Sequence, residues 1–345
     1  MKTANTPILM DQLAAISRAL SIHSPAAFTF AGRPFDATPY AHQQSVAGYV
    51  SPSTPMIAAL QSCFYAHCYS VPFNGTLPAT ATNASVPTDL SAQLSEANAG
   101  QPRWDSGWQI VRLEQSGQVT AQKSTMVRML WPGEFMTYDG PGVAPRVGSQ
   151  ISVYFPKESK TMQPGFYFAF GEMDADFASD TRLVRFYWNT PEHGAVPLTR
   201  WVTQTLNRYQ LPFRFKCLTS SSAYGRVDPA VLYVNKKFFR FTAELLASGY
   251  EKLQSVLRPG TPLFSRQLAP GLGLAEDPGN GESFGMNRCR ILAEGFFSAF
   301  SKGISEEQHK LEEVVRCFSA GGFDLENSHL NPHSADFYDT PAFVA

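Results

Sequence analysis

Two short aromatic runs constrain the fold of this chain more than any other feature. Residues 165–170 read GFYFAF and residues 183–188 read LVRFYW. Aromatic side chains at this density favour extended strands. A third run, residues 213–218, alternates apolar and basic side chains, so Arg214 and Lys216 are expected on one face of a strand and its apolar residues on the other. The chain is therefore expected to build a sheet in which one strand carries a cationic face.

Helical patterns separate these strands. Apolar residues recur every three or four positions in residues 198–209, 238–256 and 292–300. Near the N-terminus, Ser53 or Thr54 is expected to cap a helix that starts at Pro55. Interleaved strands and helices predict an α+β fold, in which a mixed or antiparallel sheet with packed helices follows a mainly helical N-terminal segment.

The composition also predicts how the chain is divided. Residues 74–100 are rich in Ala, Thr, Ser, Pro and Asn, which is typical of a loop or linker. We therefore expect an N-terminal helical segment at 1–73, a linker-like segment at 74–103 and an α+β domain at 104–345.

Charge and apolar content exclude several classes of protein. The formal net charge of −1 gives no reason to expect a nucleic-acid partner. No apolar run reaches the roughly 20 residues that span a bilayer, and the N-terminus has no signal-peptide core. We therefore expect a cytoplasmic protein without a membrane partner. The five cysteines form no C-x-x-C pair, which predicts free, mostly buried thiols.

Basic residues are concentrated in one region of this nearly neutral chain. Residues 200–240 contain eight basic side chains and a single acid, Asp228, whereas the residues after Ser305 are mainly acidic. The basic region could hold a phosphate, or it could pair with the acidic tail. Two cations on one strand are more often a solvated face, but Arg226 and Lys236 follow within one connection and favour an anion site.

A glycine-rich segment, residues 268–290, leads into a predicted helix. It reads LAPGLGLAEDPGNGESFGMNRCR. Glycine allows the backbone to approach a ligand closely, and the free N–H groups of a helix start favour an anion. Arg288 falls on the apolar face of that helix and must find an anion there, either a carboxylate such as Glu276 or Glu282 or a ligand phosphate. Arg290 points away and is expected to be solvated.

Common catalytic motifs are absent from the sequence. The glycines lack the Lys-Ser or Lys-Thr of a phosphate-binding P-loop and the third glycine of a dinucleotide site. The chain contains neither H-E-x-x-H nor G-x-S-x-G. His329 and His333 are four residues apart, but Pro332 between them argues against a shared helical face. We expect no cofactor and no metal.

Six runs in the second half carry a family resemblance. They are QPGFYFAFGE, LPFRFKCL, YGRVDPAVLYV, LAPGLGLAEDPGNGESFG, RCRILAEG and LNPHSADFY, in this order between residues 163 and 338. Together they resemble the HopA-type type III effector family over about residues 105–340. Wider relatives of that family occur beside kinase-like phosphotransferases in the biosynthesis of class V lanthipeptides and thioamitides.

The resemblance implies an α+β fold and, for the biosynthetic branch, a phosphoserine/phosphothreonine lyase. A kinase-like phosphotransferase partner phosphorylates a precursor peptide, and the HopA-like protein eliminates the phosphate to leave dehydroalanine or dehydrobutyrine. Such an elimination needs a base for the α-proton, cations for the leaving phosphate and a donor for the enolate-like carbonyl. The expected partners are thus the phosphorylated precursor peptide and the phosphotransferase.

Carried onto this chain, the resemblance implies a set of site residues. Lys216 is the expected base, and Tyr224 is the expected donor to the carbonyl or the leaving oxygen. The phosphate would be bound by Arg214, Arg226 and Arg288, with Arg266 in reserve. Asn287 stands where many relatives carry His, which puts full activity in doubt if that His is an acid.

Two other readings stay open. In the first, the chain is a non-catalytic type III effector, or a phosphopeptide-binding protein, that would be secreted into host cells and would use the cationic groove only for binding. In the second it is a scaffold that activates the phosphotransferase, and replacing Lys216 by Ala would then leave dehydration intact.

Overall fold

The computed structural model describes residues 6–42, 54–78, 87–173 and 182–343. Within them, helices and strands interleave along the chain and every paired strand is antiparallel. The predicted α+β fold with an antiparallel sheet is confirmed. No helix in these ranges is long and apolar enough to cross a bilayer.

The N-terminal segment contains strands as well as helices. Helix α1 (Thr6–Ala19) is followed by a three-stranded sheet, β1 (Leu20–Ser24), β2 (Ala27–Phe30) and β3 (Arg33–Asp36), which the sequence analysis missed because each strand is only four or five residues long. Helix α2 (Pro55–Phe64) starts at the predicted proline, and the Thr54 hydroxyl accepts a hydrogen bond from the Ile57 N–H at 3.3 Å. Ser53 lies outside the described residues.

The next segment forms a small sheet of its own. Helix α3 (Ser91–Ala97) lies within the predicted linker. Five strands follow, in the spatial order β6-β5-β4-β8-β7, around a core that includes Trp108 and Ile151. Their bounds are β4 (Arg103–Leu113), β5 (Val119–Lys123), β6 (Met126–Leu130), β7 (Phe135–Thr137) and β8 (Gln150–Phe155). Strand β4 pairs with β5 across the turn that contains Gly117.

A seven-stranded sheet forms the centre of the molecule, in the order β14-β15-β11-β13-β12-β10-β9. The bounds are β9 (Glu158–Ser159), β10 (Phe166–Phe170), β11 (Leu183–Trp188), β12 (Arg214–Leu218), β13 (Ala230–Asn235), β14 (Arg266–Ala269) and β15 (Leu272–Glu276). The three runs from which the sequence predicted strands therefore lie within the same sheet as β10, β11 and β12.

Helices cover the two faces of this sheet differently. One face packs against α4 (Glu192–Arg208) and α5 (Phe239–Leu253) in a mainly apolar core. On the other face, Tyr187 and Tyr233 join the core of the N-terminal helices and of α6 (Phe284–Ser301) and α7 (Glu307–Ala320). Because α2 packs on α6 and α1 on α7, the N-terminal segment shares its core with the second half of the chain.

Candidate functional site

The seven-stranded sheet brings a row of polar side chains together on the face opposite α4 and α5. Antiparallel pairing places Arg185 of β11 directly across from Tyr233 of β13, and Tyr233 directly across from Arg214 of β12. Directly paired residues point to the same face of a sheet. Lys216 lies two residues beyond Arg214 and shares that face. The cationic strand face predicted for β12 is confirmed by the burial of its alternate residues, Phe215 and Cys217.

Tyr233 stands among these cations. The guanidinium carbons of Arg185 and Arg214 lie 5.2 Å and 4.9 Å from the centre of its ring. The Lys216 ammonium lies 5.9 Å from the same ring and 4.3 Å from the ring of Phe166. Cations at this distance from an aromatic face are attracted by the ring quadrupole. We call Arg185, Arg214, Lys216 and Tyr233 the cationic site.

The glycine-rich segment contributes one carboxylate to the cationic site. Asp277, just after β15, accepts hydrogen bonds from Arg185 Nε at 2.8 Å and from its terminal nitrogen at 2.5 Å. The other oxygen of Asp277 accepts from the Gly279 N–H at 2.9 Å, which fixes the carboxylate. Burial disfavours the charge of Arg185, but Tyr233 and Asp277 outweigh it and hold its pKa above the usual value.

The three cations lower the pKa of Tyr233. Burial alone would raise it, but Lys216, Arg185 and Arg214 together outweigh burial, so the net shift is downward from the usual value near 10. The pKa of Arg214 is also lowered, because its own burial outweighs the attraction of Tyr233 and Asp277. The site therefore favours negative charge at its centre.

The cationic site is partly exposed on the side of β12. Arg185 and Tyr233 are buried, whereas Arg214 and Lys216 are half-buried. The Lys216 ammonium donates a hydrogen bond to the exposed Gln163 side chain at 3.2 Å. Two guanidinium groups and an ammonium therefore surround one ring, and the two cations on β12 are only half-buried.

The structure places the other predicted site residues apart from the cationic site. Arg226 is paired with Asp228 at 2.7 and 2.9 Å and donates to the Tyr65 hydroxyl at 2.9 Å. The buried Tyr224 hydroxyl donates to the carbonyl of Leu218 at 2.6 Å. Both residues thus connect the β12–β13 loop to its surroundings.

Arg266 lies in the edge strand β14. Its side chain is paired with Asp336 at 3.3 Å on the rim of a cleft of about 630 Å³. By register, it points to the sheet face opposite that of Arg185. Of the predicted phosphate-binding arginines, only Arg214 reaches the cationic site.

Arg288 is fully buried and holds the C-terminal segment to α6. It donates to the carbonyl of Ser328 at 2.8 Å and to that of Leu330 at 2.6 Å, and a third bond goes to the Asn287 side chain. Burial lowers its pKa to about 9. The sequence predicted that Arg288 pairs with a carboxylate or with a ligand phosphate. In the structure its partners are two main-chain carbonyls and the Asn287 amide.

The start of α6 is likewise occupied by the chain itself. The Ser283 hydroxyl accepts from the Met286 N–H at 3.2 Å. Glu282 is buried, accepts from the Asn287 amide at 2.8 Å and pairs with Arg290 at 3.3 Å. The expectation of a solvated Arg290 is wrong, because its side chain is only 14% exposed and also pairs with Glu294.

Sequence reasoning missed Arg185, Tyr233 and Asp277. A signal for Arg185 was available: it is the one charged residue in the otherwise apolar run LVRFYW, and a charge in a buried strand needs a partner. Tyr233 carried no such signal, because a tyrosine in an apolar strand is ordinary. Only the pairing of β11, β13 and β12 shows that it lies between two arginines.

Comparisons with known proteins identify the second half of the chain. The sequence profile of the HopA1 effector protein family matches residues 157–330. This range contains all four residues of the cationic site and Asp277. No curated protein matches the chain.

Two solved structures are similar to this one. The first is an effector protein from Pseudomonas syringae pv. tomato strain DC3000, with 15% identity, 95% of this chain and 97% of that chain covered, and a TM-score of 0.42. The second is an effector protein from Pseudomonas syringae pv. syringae strain 61, with 17% identity, 49% and 63% covered, and a TM-score of 0.35.

Proposed function

Since the chain belongs to the HopA1 effector protein family, we propose that its cationic site binds a phosphorylated serine or threonine and eliminates the phosphate. The observation that carries the proposal is the convergence of Arg185, Arg214 and Lys216 around Tyr233 on one partly open sheet face. A phosphate monoester is largely a dianion at neutral pH and is well matched by two planar guanidinium groups and an ammonium.

The elimination consists of three bond changes. A base removes the α-proton, the electron pair forms the Cα=Cβ double bond, and the Cβ–O bond breaks so that phosphate leaves. Arg185, Arg214 and Lys216 stabilise the negative charge that develops on the departing phosphate. Asp277 orients the Arg185 side chain, so this part of the cationic site is in place before the substrate arrives. Lys216, predicted as the base, lies in the same site.

The substrate and partner follow from the same proposal. The sequence contains no nucleotide-binding motif, so another protein has to install the phosphate. We propose a precursor peptide phosphorylated by a kinase-like phosphotransferase as the substrate, and dehydroalanine or dehydrobutyrine as the product. The reaction needs no cofactor.

The test is the intact mass of a phosphoserine or phosphothreonine peptide incubated with the purified protein, first alone and then with the phosphotransferase and its precursor. Loss of phosphoric acid, with a product that a thiol traps, supports the lyase. Arg214→Met is expected to slow elimination about 100-fold. The control is Arg240→Met, which removes an exposed arginine on α5 and leaves the rate unchanged.

The non-catalytic reading gives a different result in the same experiment. The peptide mass stays constant in every mixture, while the phosphopeptide binds to the protein and binds more weakly to Arg214→Met. That outcome would move the function from elimination to recognition, which fits an effector that acts by binding a phosphorylated host protein.

A further inference from the structure

Tyr233 is the least expected group in the cationic site. It is 5% exposed, yet three cations and one carboxylate, Asp277, lie around it. The side chains that face it are those of Lys216 and Arg214 on β12, Arg185 and Tyr187 on β11, and Asp277 after β15. Cations around a buried tyrosine stabilise its phenolate form, which a purely structural tyrosine in a sheet does not require.

The Lys216 side chain contacts two aromatic rings and one amide. Its ammonium lies 4.3 Å from the centre of the Phe166 ring and 5.9 Å from that of Tyr233, and it donates to the Gln163 side chain. These contacts use the Lys216 side chain as a cation over two rings and as a donor to an amide oxygen. The group that Lys216 and the two arginines surround is Tyr233, which makes Tyr233 the candidate for the base.

Resting on the proposed lyase function, we propose that Tyr233 is the proton acceptor of this site and that Lys216 is one of the three cations that stabilise its phenolate form. The phenolate oxygen takes the α-proton of the phosphorylated residue. The Cα–H electron pair becomes the Cα=Cβ bond, the Cβ–O pair leaves with the phosphate, and Tyr233 is left as the neutral phenol. It returns its proton to water when the product leaves.

Charge balance links this proton to phosphate binding. A bound phosphate dianion brings negative charge next to Tyr233, so a phenolate there is less well compensated by the three cations and its affinity for a proton rises. Substrate binding therefore makes Tyr233 a stronger base where the α-proton is removed.

The first experiment follows the ionisation of Tyr233 directly and needs no turnover. The protein is labelled with 13C at the tyrosine ring carbon that bears oxygen and titrated by NMR, and Tyr233→Phe identifies the resonance of Tyr233. We expect Tyr233 to ionise at a lower pH than the other tyrosines. In Lys216→Met, or with saturating inorganic phosphate, the phenolate should become at least about tenfold less populated at a given pH.

The second experiment measures elimination. Tyr233→Phe should lose elimination at least about 100-fold while still binding the phosphopeptide, whereas Lys216→Met should lose phosphopeptide affinity as well. If Tyr233→Phe is too unstable to study, the NMR titration of Tyr233 with and without phosphate tests the proposal in the parent protein. The same titration in Lys216→Met is the comparison.

These readouts separate the two proposals. A Tyr233 that ionises no earlier than the other tyrosines, or that ignores phosphate, overturns the inference whether or not the protein is a lyase. A Tyr233→Phe variant that eliminates at the parental rate also overturns it and returns the role of base to Lys216. An early, phosphate-dependent ionisation in a protein that releases no phosphate supports Tyr233 as the proton acceptor of a phosphate site and refutes only the lyase function.

Discussion

Replacing Arg288 by Met separates a structural arginine from a phosphate-binding one. Arg288 is fully buried, and its guanidinium lies 4.8 Å from the ring of Phe284 and 4.2 Å from that of Phe323. Its donors satisfy the carbonyls of Ser328 and Leu330, which lie on the segment that leads to the C-terminus. Met fills a similar volume but donates no hydrogen bond.

The expected loss of stability follows from these contacts. Each buried carbonyl left without a donor costs about 1–3 kcal/mol, so two cost about 2–6 kcal/mol. Removing a charge that burial disfavours offsets part of this cost, and that burial is what lowers the pKa of Arg288 to about 9. We expect Arg288→Met to lower the free energy of unfolding by about 2–4 kcal/mol.

Two assays are needed, both at a pH near neutral. Urea unfolding measures stability, and phosphopeptide affinity is measured without urea. Arg288→Met should be destabilised but should bind the phosphopeptide like the parent protein. Arg214→Met should show the reverse pattern. An Arg288→Met protein of parental stability that has lost phosphopeptide binding would refute the structural assignment and restore Arg288 to the phosphate site.

Three further predictions test the packing and the buried groups. Burial lowers the pKa of His329 to about 4 from the usual 6.5, so the stability gained by burying neutral His329 is complete above pH 6.5 and is lost as the pH falls towards 4. Urea titrations at several pH values should show that His329→Phe removes up to about 3 kcal/mol of this acid destabilisation. Equal acid sensitivity in both proteins would contradict this prediction. Gly249→Ala would place a Cβ 1.9 Å from the Trp201 ring between α4 and α5, and should cost about 3 kcal/mol in the same assay. Its control is Gly225→Ala, where nothing lies within 4 Å of the new Cβ and stability should hold; equal stability of the two variants would show that the helices can separate at no cost. Finally, Cys317 is half-buried and the other four thiols are buried, so iodoacetamide should modify Cys317 first in the native protein. Mass spectrometry of the peptides measures the order of modification. Early reaction at Cys289 would mean that the core around α6 opens.

Part of the candidate site could be predicted from local pattern alone. The alternation in residues 213–218 placed Arg214 and Lys216 on one strand face, because side chains of a strand alternate with period two. Arg226 and Arg288 belonged to motifs of the family resemblance and Arg266 lies just before one, yet all three bind other groups of the chain: Asp228, two backbone carbonyls and Asp336. Motif membership does not distinguish a ligand-binding arginine from one that connects two segments.

The sequence by itself determined the α+β class, the strands rich in aromatic residues, the helices between them and the cationic face of β12, because these depend on periods of two and 3.6 residues within short windows. The tertiary structure alone decided which residues meet. Arg185, Tyr233, Arg214 and Asp277 come from four separate segments, and antiparallel pairing of distant strands joins them. The lowered pKa of Tyr233 depends on charges within a few ångströms of its ring, and no local pattern records those distances.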